Sequence, residues 1–507
     1  MHIKIKTIKQ IIFLTLLALM SGFMMYCNPA DKINTSPSLR LSFSTDTVLF
    51  DTVFTTIGSS SRSFKVYNRN NYRVNISDIH LAGAAASPFR INLDGQSGNS
   101  FSNIDIDAHD SIFVFVRVTI NPNDQNSPFI RQDSLLFTIN GNHQSMDLVA
   151  WGQNANYIVA NTYQPGLPPY KIIAGKNQTV TWTADKPYII YGYGVVDSTA
   201  KLIIEAGAHI YFHKGSGLWI YKSGTLKVNG TKDNRVLFSG DRPELYYADI
   251  PGQWDRIWIN ESNTDNEINF AIIQNGFTGI QAETLDKPGT GKLIINNTVI
   301  NNMTGYGLLT KQYTVQAANL LIYDAGIQSL YLSAGGSYDF RHCSFSDFWN
   351  KSGRSKPSVK LSNYYLYDDA AGNPHVMKGN LTKAYFGNCQ ITGNKNEELV
   401  FEIDQLAGTF NYMFDHCAVQ TLATTDALHY NALTRITNQY IRIPMDSVIP
   451  AVRNIGSLDN INSSPTPLIL KTDLFGLDRT LDGKPDAGAI EYFLPKKSTR
   501  FVLKNLY

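Results

Sequence analysis

Two adjacent pairs in the sequence join an imidazole to a thiol: His342 with Cys343 in FRHCSFSDF, and His416 with Cys417 in FDHCAVQ. Both side chains can ligate zinc, and a thiol beside a base can also be a nucleophile. A third group lies in YLYDDAAGNPHVMKG, where Asp368, Asp369, His375 and Lys378 stand close to Tyr364, Tyr365 and Tyr367. Acids, a base and rings in one loop suit a carbohydrate groove, with rings against sugar faces and charged groups holding hydroxyls or moving protons. A solvated insertion would have the same composition. The sequence contains no nucleophile elbow, phosphate loop, zinc spacing or dinucleotide fingerprint.

Whether the His–Cys pairs can act depends on the elements that carry them. FAIIQN at 270, NTVINN at 297, NLLIYD at 319, HCSFSD at 342, NCQITG at 388 and HCAVQT at 416 align without gaps. The second column is Ala271, Thr298, Leu320, Cys343, Cys389 and Cys417; the fourth is Ile273, Ile300, Ile322, Phe345, Ile391 and Val419. Second-column spacings are 27, 22, 23, 46 and 28, a repeat of 22 to 28 residues with one double step that reads as a rung carrying a long loop. Alternation along a strand turns columns two and four to one side, and their apolar content makes that side the interior. Column one, with both histidines, is expected to face out as a polar ladder with Asn388 between them.

Each His–Cys pair therefore points to opposite faces of one strand and cannot close on one metal ion. The cysteines take positions where other rungs place Ala, Thr and Leu, as small buried hydrophobes do. Stacked strands lie about 4.8 Å apart, whereas the β-carbons of a disulfide want about 3.8 Å. Three cysteines remain after Cys27, so shielded free thiols are expected rather than a Cys389–Cys417 bridge, which an exported compartment would permit.

Earlier in the chain, Ile210-Tyr211-Phe212, Leu218-Trp219-Ile220, Leu226-Lys227-Val228 and Val236-Leu237-Phe238 each place two apolar residues on one side of a short strand. Such strands are stable only when stacked rung on rung. Residues 175–430 resemble a right-handed parallel β-helix of the pectate-lyase-like superfamily. The tail DLFGLDRTLDGKPDAGAIEYF, with Asp478, Arg479, Pro485, Asp486, Gly488, Ala489 and Glu491, resembles the closing segment of exported bacterial β-helix proteins. The resemblance implies a cap over the open end of the coil at 431–507. Members that cleave polysaccharide use grouped carboxylates, or a base helped by calcium-binding acids; calcium would enter here only under such a lyase reading, and no cofactor is otherwise expected. Polygalacturonase-like members join NTD, a paired Asp, GHG and RIK. Asn263-Thr264-Asp265 and Asp368-Asp369 match the first two, but GHG and RIK are absent and NTD falls in the polar turn ESNTDNE.

The N-terminus places Lys4, Lys6 and Lys9 before the apolar run 11–26, which ends at Cys27. Sixteen residues are few for a spanning helix, and the order is that of a signal peptide. It resembles a bacterial lipoprotein signal, with Cys27 as the lipidated first residue, 28–37 as a tether and the outer membrane of a Gram-negative envelope as the destination. Residues 38–157 alternate apolar and polar positions between Gly, Asn, Pro and Ser turns. Their phrases FDTVFTTIGSSSRSFKVYNRNNYRVNISDIHL and LVAWGQNAN resemble Hydin-type immunoglobulin-like domains, which implies a β-sandwich; a linker at 158–174 follows. Six Asp-Ser/Thr triplets, at Asp46, Asp51, Asp110, Asp133, Asp197 and Asp446, resemble O-glycosylation acceptors of Gram-negative envelope proteins.

Lys and Arg number 44 against 42 Asp and Glu, and 41 against 42 without residues 1–26, so no basic excess supports nucleic-acid binding. The expectation is an all-β cell-envelope lipoprotein, a β-sandwich followed by a β-helix. It would be a non-catalytic binding or structural protein associated with glycan and held to a membrane by its lipid. The alternatives are a polysaccharide lyase or glycoside hydrolase working near the 364–378 loop, and a protein-binding adhesin.

Overall fold

The computed structural model describes residues 32–123, 126–261, 263–284, 289–369, 371–423, 425–436 and 452–492. The signal segment, Cys27 and the Asp446 triplet lie outside them. The chain divides into two units, 1–154 and 155–507.

In the first unit two five-stranded sheets face each other across one core. Alternation does the work: in Ser111–Val118 the residues Val114, Val116 and Val118 are buried while Phe113, Phe115 and Arg117 point outward. Phe50, Phe64, Phe89 and Phe137 fill the space between the sheets. All strand pairs in the two sheets are antiparallel except Asn142–Gln153 beside Thr47–Phe54.

The second unit is a parallel β-helix. Each turn of the coil contributes two successive strands to a seventeen-stranded sheet and a third to an eleven-stranded one. In the turn that begins at Gly217–Tyr221, the second strand is Thr225–Asn229 and the third Val236–Gly240. No strand has more than a few residues to bury, so the next rung supplies what a single turn lacks. Near the C-terminal end the interior becomes aromatic: Phe340, Phe386, Phe414 and Tyr430 occupy one column. Their ring centroids are 5.1, 4.6 and 5.6 Å apart, nearly parallel, and such pairs are each worth about 0.5–1.5 kcal/mol beyond burial.

The aligned columns coincide with the backbone register. Ile273 pairs with Ile300, then Ile322, Phe345, Ile391 and Val419 in unbroken succession. These residues and the six of column two are fully buried. Because Phe345 and Ile391 are direct neighbours, the 46-residue step is a single rung. Its surplus is the segment 348–358 and a hairpin of Tyr364–Asp368 and Pro374–Lys378.

Three expectations need correction. Residues 158–174 are not a linker, because Asn156–Val159 and Tyr170–Ala174 already pair within the coil, with Tyr188–Tyr191 and Tyr193–Val196. The tail 452–492 does not simply stop the open end; it runs back along the flank of the coil. Its contacts extend from Arg235, which donates to the Leu474 carbonyl at 2.7 Å, to Asp415, whose carbonyl accepts from Asn460 at 3.4 Å. Column one does leave the interior, yet His342 is fully buried under this strap rather than solvent-facing.

Candidate functional site

Column one explains the histidines. Phe270, Asn297, Asn319, His342, Asn388 and His416 have φ of 49, 48, 54, 50, 53 and 52°. Each forms the sharp bend from the second strand to the third. Asn and His are several-fold enriched among non-glycine residues in this left-handed region, so the histidines serve backbone conformation. Their side chains continue as a ladder: Asn319 donates to Asn297 at 2.9 Å, and the Asn388 amide to His342 Nε2 at 2.8 Å. Burial, then the charge of Arg479, pushes the His342 pKa well below its usual range. His416 instead sits 2.6 Å from the Asp415 carboxylate.

The strap supplies the remaining partners. Asn388 Oδ1 accepts from Ser457 N–H at 2.9 Å and from Asn460 at 3.0 Å. Arg479, completely buried, donates to Asn319 at 2.7 Å and to Glu491 at 2.6 Å. Asp486 accepts from the Asn454 and Tyr492 amides at 2.6 and 2.7 Å. Arg479 thus ties the strap to the ladder, while Asp486 and Glu491 brace the strap itself. Cys343, Cys389 and Cys417 are free and buried, and burial pushes the Cys343 and Cys417 thiols up. Asn263-Thr264-Asp265 is a turn, its first two amides donating to Glu261 at 2.7 and 3.1 Å. Among the described residues no three His, Cys, Asp or Glu gather for a metal ion.

The hairpin places the other candidates. Asp368 is exposed near its tip, while Asp369 folds back to accept from the Asn373 amide side chain and backbone and from His375, contacts that hold its carboxyl far below the usual range. Lys378 pairs with Asp404 at 2.5 Å, and the Tyr364 hydroxyl donates to Glu402 at 3.2 Å. Tyr365 and Tyr367 stack at 6.4 Å, and Tyr367 lies over His375 at 5.4 Å. The structure therefore separates Lys378 from the Asp369–His375 pair.

What the hairpin joins is the outward side of the first strands. Their register runs Trp219, Trp258, Gln281, Leu309, Tyr331, Lys360 in one column and Tyr221, Asn260, Glu283, Lys311 in the next. Trp219 and Trp258 stack at 4.8 Å. Trp258 donates to Glu283 at 2.7 Å, and Tyr193 to Asp255. Tyr331 lies 6.0 Å from Tyr306 and 6.2 Å from Tyr365. Lys311 sits over the Tyr365 ring and Lys360 over the Tyr331 ring, each at 4.6 Å. The face thus interleaves rings with charges; Trp219 and Tyr331 are buried, and Tyr365 and Tyr367 are the rings placed to stack a sugar. Trp219, Trp258, Glu283, Lys311, Tyr331 and Glu402 were missed in the sequence because only the third strand of each rung was aligned. Setting GLWIY, RIWIN, GIQAE, GLLTK, SLYLS and SVKLS in register would have found five of them, with Glu402 following in LVFE.

No family model matches this chain, and no curated protein does. Among solved structures it is similar to the catalytic unit of a thermostable GH87 alpha-1,3-glucanase from Streptomyces thermodiastaticus strain HF3-3, at 12% identity over 74% of this chain and 65% of that one, TM-score 0.17. It is also similar to a family 123 glycoside hydrolase from Clostridium perfringens, at 11% identity, 22% of this chain and TM-score 0.16; only 26% of that enzyme is spanned. The ASH/PapD-like domain 7 of human CEP192 matches 25% of this chain and 93% of the domain, at 11% identity and TM-score 0.16. At such scores the likenesses assign no activity.

Proposed function

We propose that this protein is a lipid-anchored envelope protein whose β-helix binds glycan on the outward face of its first strands, without cleaving it. The observation that carries the reading is the accessible ring pair Tyr365 and Tyr367, backed by Trp258 and by the buried rings of Trp219 and Tyr331 and interleaved with charged side chains. The reading without cleavage rests on the partners of the acids. Asp255, Glu283, Glu402 and Asp404 are held by Arg256, Lys311, Lys360 and Lys378 at 2.9, 2.8, 2.5 and 2.5 Å. Each of these carboxylates is thus already bonded to a cation rather than free to face a leaving oxygen. The lysine-rich, apolar, cysteine order of residues 4–27 supports the anchor.

The test is a polysaccharide panel against the protein without residues 1–27, scoring retention together with new reducing or unsaturated ends. Retention without new ends, lost in Tyr365→Ala/Tyr367→Ala, is the expected result. New ends that vanish in Glu283→Gln or Asp255→Asn would make the protein a lyase or hydrolase, and retention of nothing would move it to the adhesin reading.

A further inference from the structure

Resting on the glycan-binding reading of the first-strand face, we propose that its ligand is an uncharged polysaccharide, and that the ion pairs on the face exclude polyuronates and sulfated chains. A site for an anionic sugar needs a cation whose charge is not already neutralised by a neighbouring carboxylate, because carboxylate and sulfate are recognised by charge-assisted hydrogen bonds. Four cations of this face, Arg256, Lys311, Lys360 and Lys378, each have their own carboxylate within 3 Å. Two of them are engaged a second time, Lys311 over Tyr365 and Lys360 over Tyr331.

An arriving uronate would have to displace a carboxylate already seated, and would leave that carboxylate beside it as a like charge. Four positive and four negative groups cancel, and Asp368, exposed near the hairpin tip, adds a further negative charge. A neutral chain meets no such cost. Its apolar ring faces stack on Tyr365 and Tyr367, and its hydroxyls donate to Glu402, whose Oε2 takes both Lys360 and the Tyr364 hydroxyl.

The experiment is affinity electrophoresis of the protein without residues 1–27, in gels cast with neutral polysaccharides (β-glucan, mannan, xyloglucan) or acidic ones (polygalacturonate, chondroitin sulfate), at low and high salt. Retardation in a neutral gel that is indifferent to salt and lost in Tyr365→Ala/Tyr367→Ala is the expected result. Retardation confined to acidic gels and fading with salt would overturn the inference while leaving the glycan-binding reading intact. Retardation in neither set would overturn both. Glu402→Gln, which releases Lys360, gives the sharper arm: it should gain retardation in polygalacturonate, and no gain would sink the claim that pairing excludes anions. Unchanged thermal unfolding of each variant separates lost binding from lost fold.

Discussion

The coil has two outward surfaces of very different character. On the flank of left-handed bends, polar side chains project from rung after rung and are sealed beneath the strap 452–492, their hydrogen bonds completed by Ser457, Asn460 and Arg479. On the first-strand face, equally regular columns carry rings and ion pairs, and the hairpin extends them with the exposed Tyr367. Sealed polar groups must find partners within the chain or cost about 1–3 kcal/mol each; the accessible rings of Tyr365 and Tyr367 carry no such obligation. Regularity along a solenoid thus has two meanings, and the partners of the side chains distinguish them.

The contrast can be broken most forcefully at Arg479. Arg479→Ala leaves Glu491 buried without its partner and should cost about 3–5 kcal/mol in urea unfolding, with faster proteolysis of the tail. A loss below about 1 kcal/mol would mean the strap is not held this way.

At the far end of the third strands another polar group is sealed, by the segment 348–358. Burial raises the Asp347 pKa from 3.8 to about 7, although Arg354, 3.7 Å away, opposes the rise. The fold therefore holds the proton more tightly than the unfolded chain does. Its contribution is complete below 3.8 and is lost as pH climbs through about 7, a change on the order of a few kcal/mol. Asp347→Asn should flatten that part of the stability profile; an unaltered slope would assign it to other groups, Glu491 among them, whose pKa is also raised to about 7.

Asn388 tests the ladder itself. Asn388→Ala forfeits bonds to His342, Ser457 and Asn460 and should lose about 1–3 kcal/mol. Asn388→Gly keeps the left-handed bend, so the difference between the two variants isolates the backbone strain. The smallest effect on stability belongs to the open face. Tyr365→Ala/Tyr367→Ala should shift unfolding by about 1 kcal/mol or less, yet abolish glycan retention; a large destabilisation with retention intact would reverse the roles of the two surfaces.

Much of the architecture was legible in residue order. The columns from Ala271 to Cys417 and from Ile273 to Val419 predicted both register and burial, because a strand alternates its sides and only one side of a rung can be apolar. The same alternation separated His342 from Cys343 and His416 from Cys417. The site was less legible. The hairpin's rings were visible as a cluster, but Tyr331, Lys311 and Glu402 approach it from rungs as much as 54 residues before Tyr365 and 37 after it.

What the sequence by itself determined is therefore the local periodicity: which residues turn inward, where the chain bends, and that rungs must stack. Only the tertiary structure decided which outward columns would be covered. Alternation says that a side chain leaves the core, but it carries no record of the distant segment that returns to lie over it. Asn319 and Arg479 meet across 160 positions, and Lys311 reaches Tyr365 although a whole rung of chain lies between them. Stacking turns that separation into a few ångströms, and so makes a buried ladder of one surface and an open face of the other.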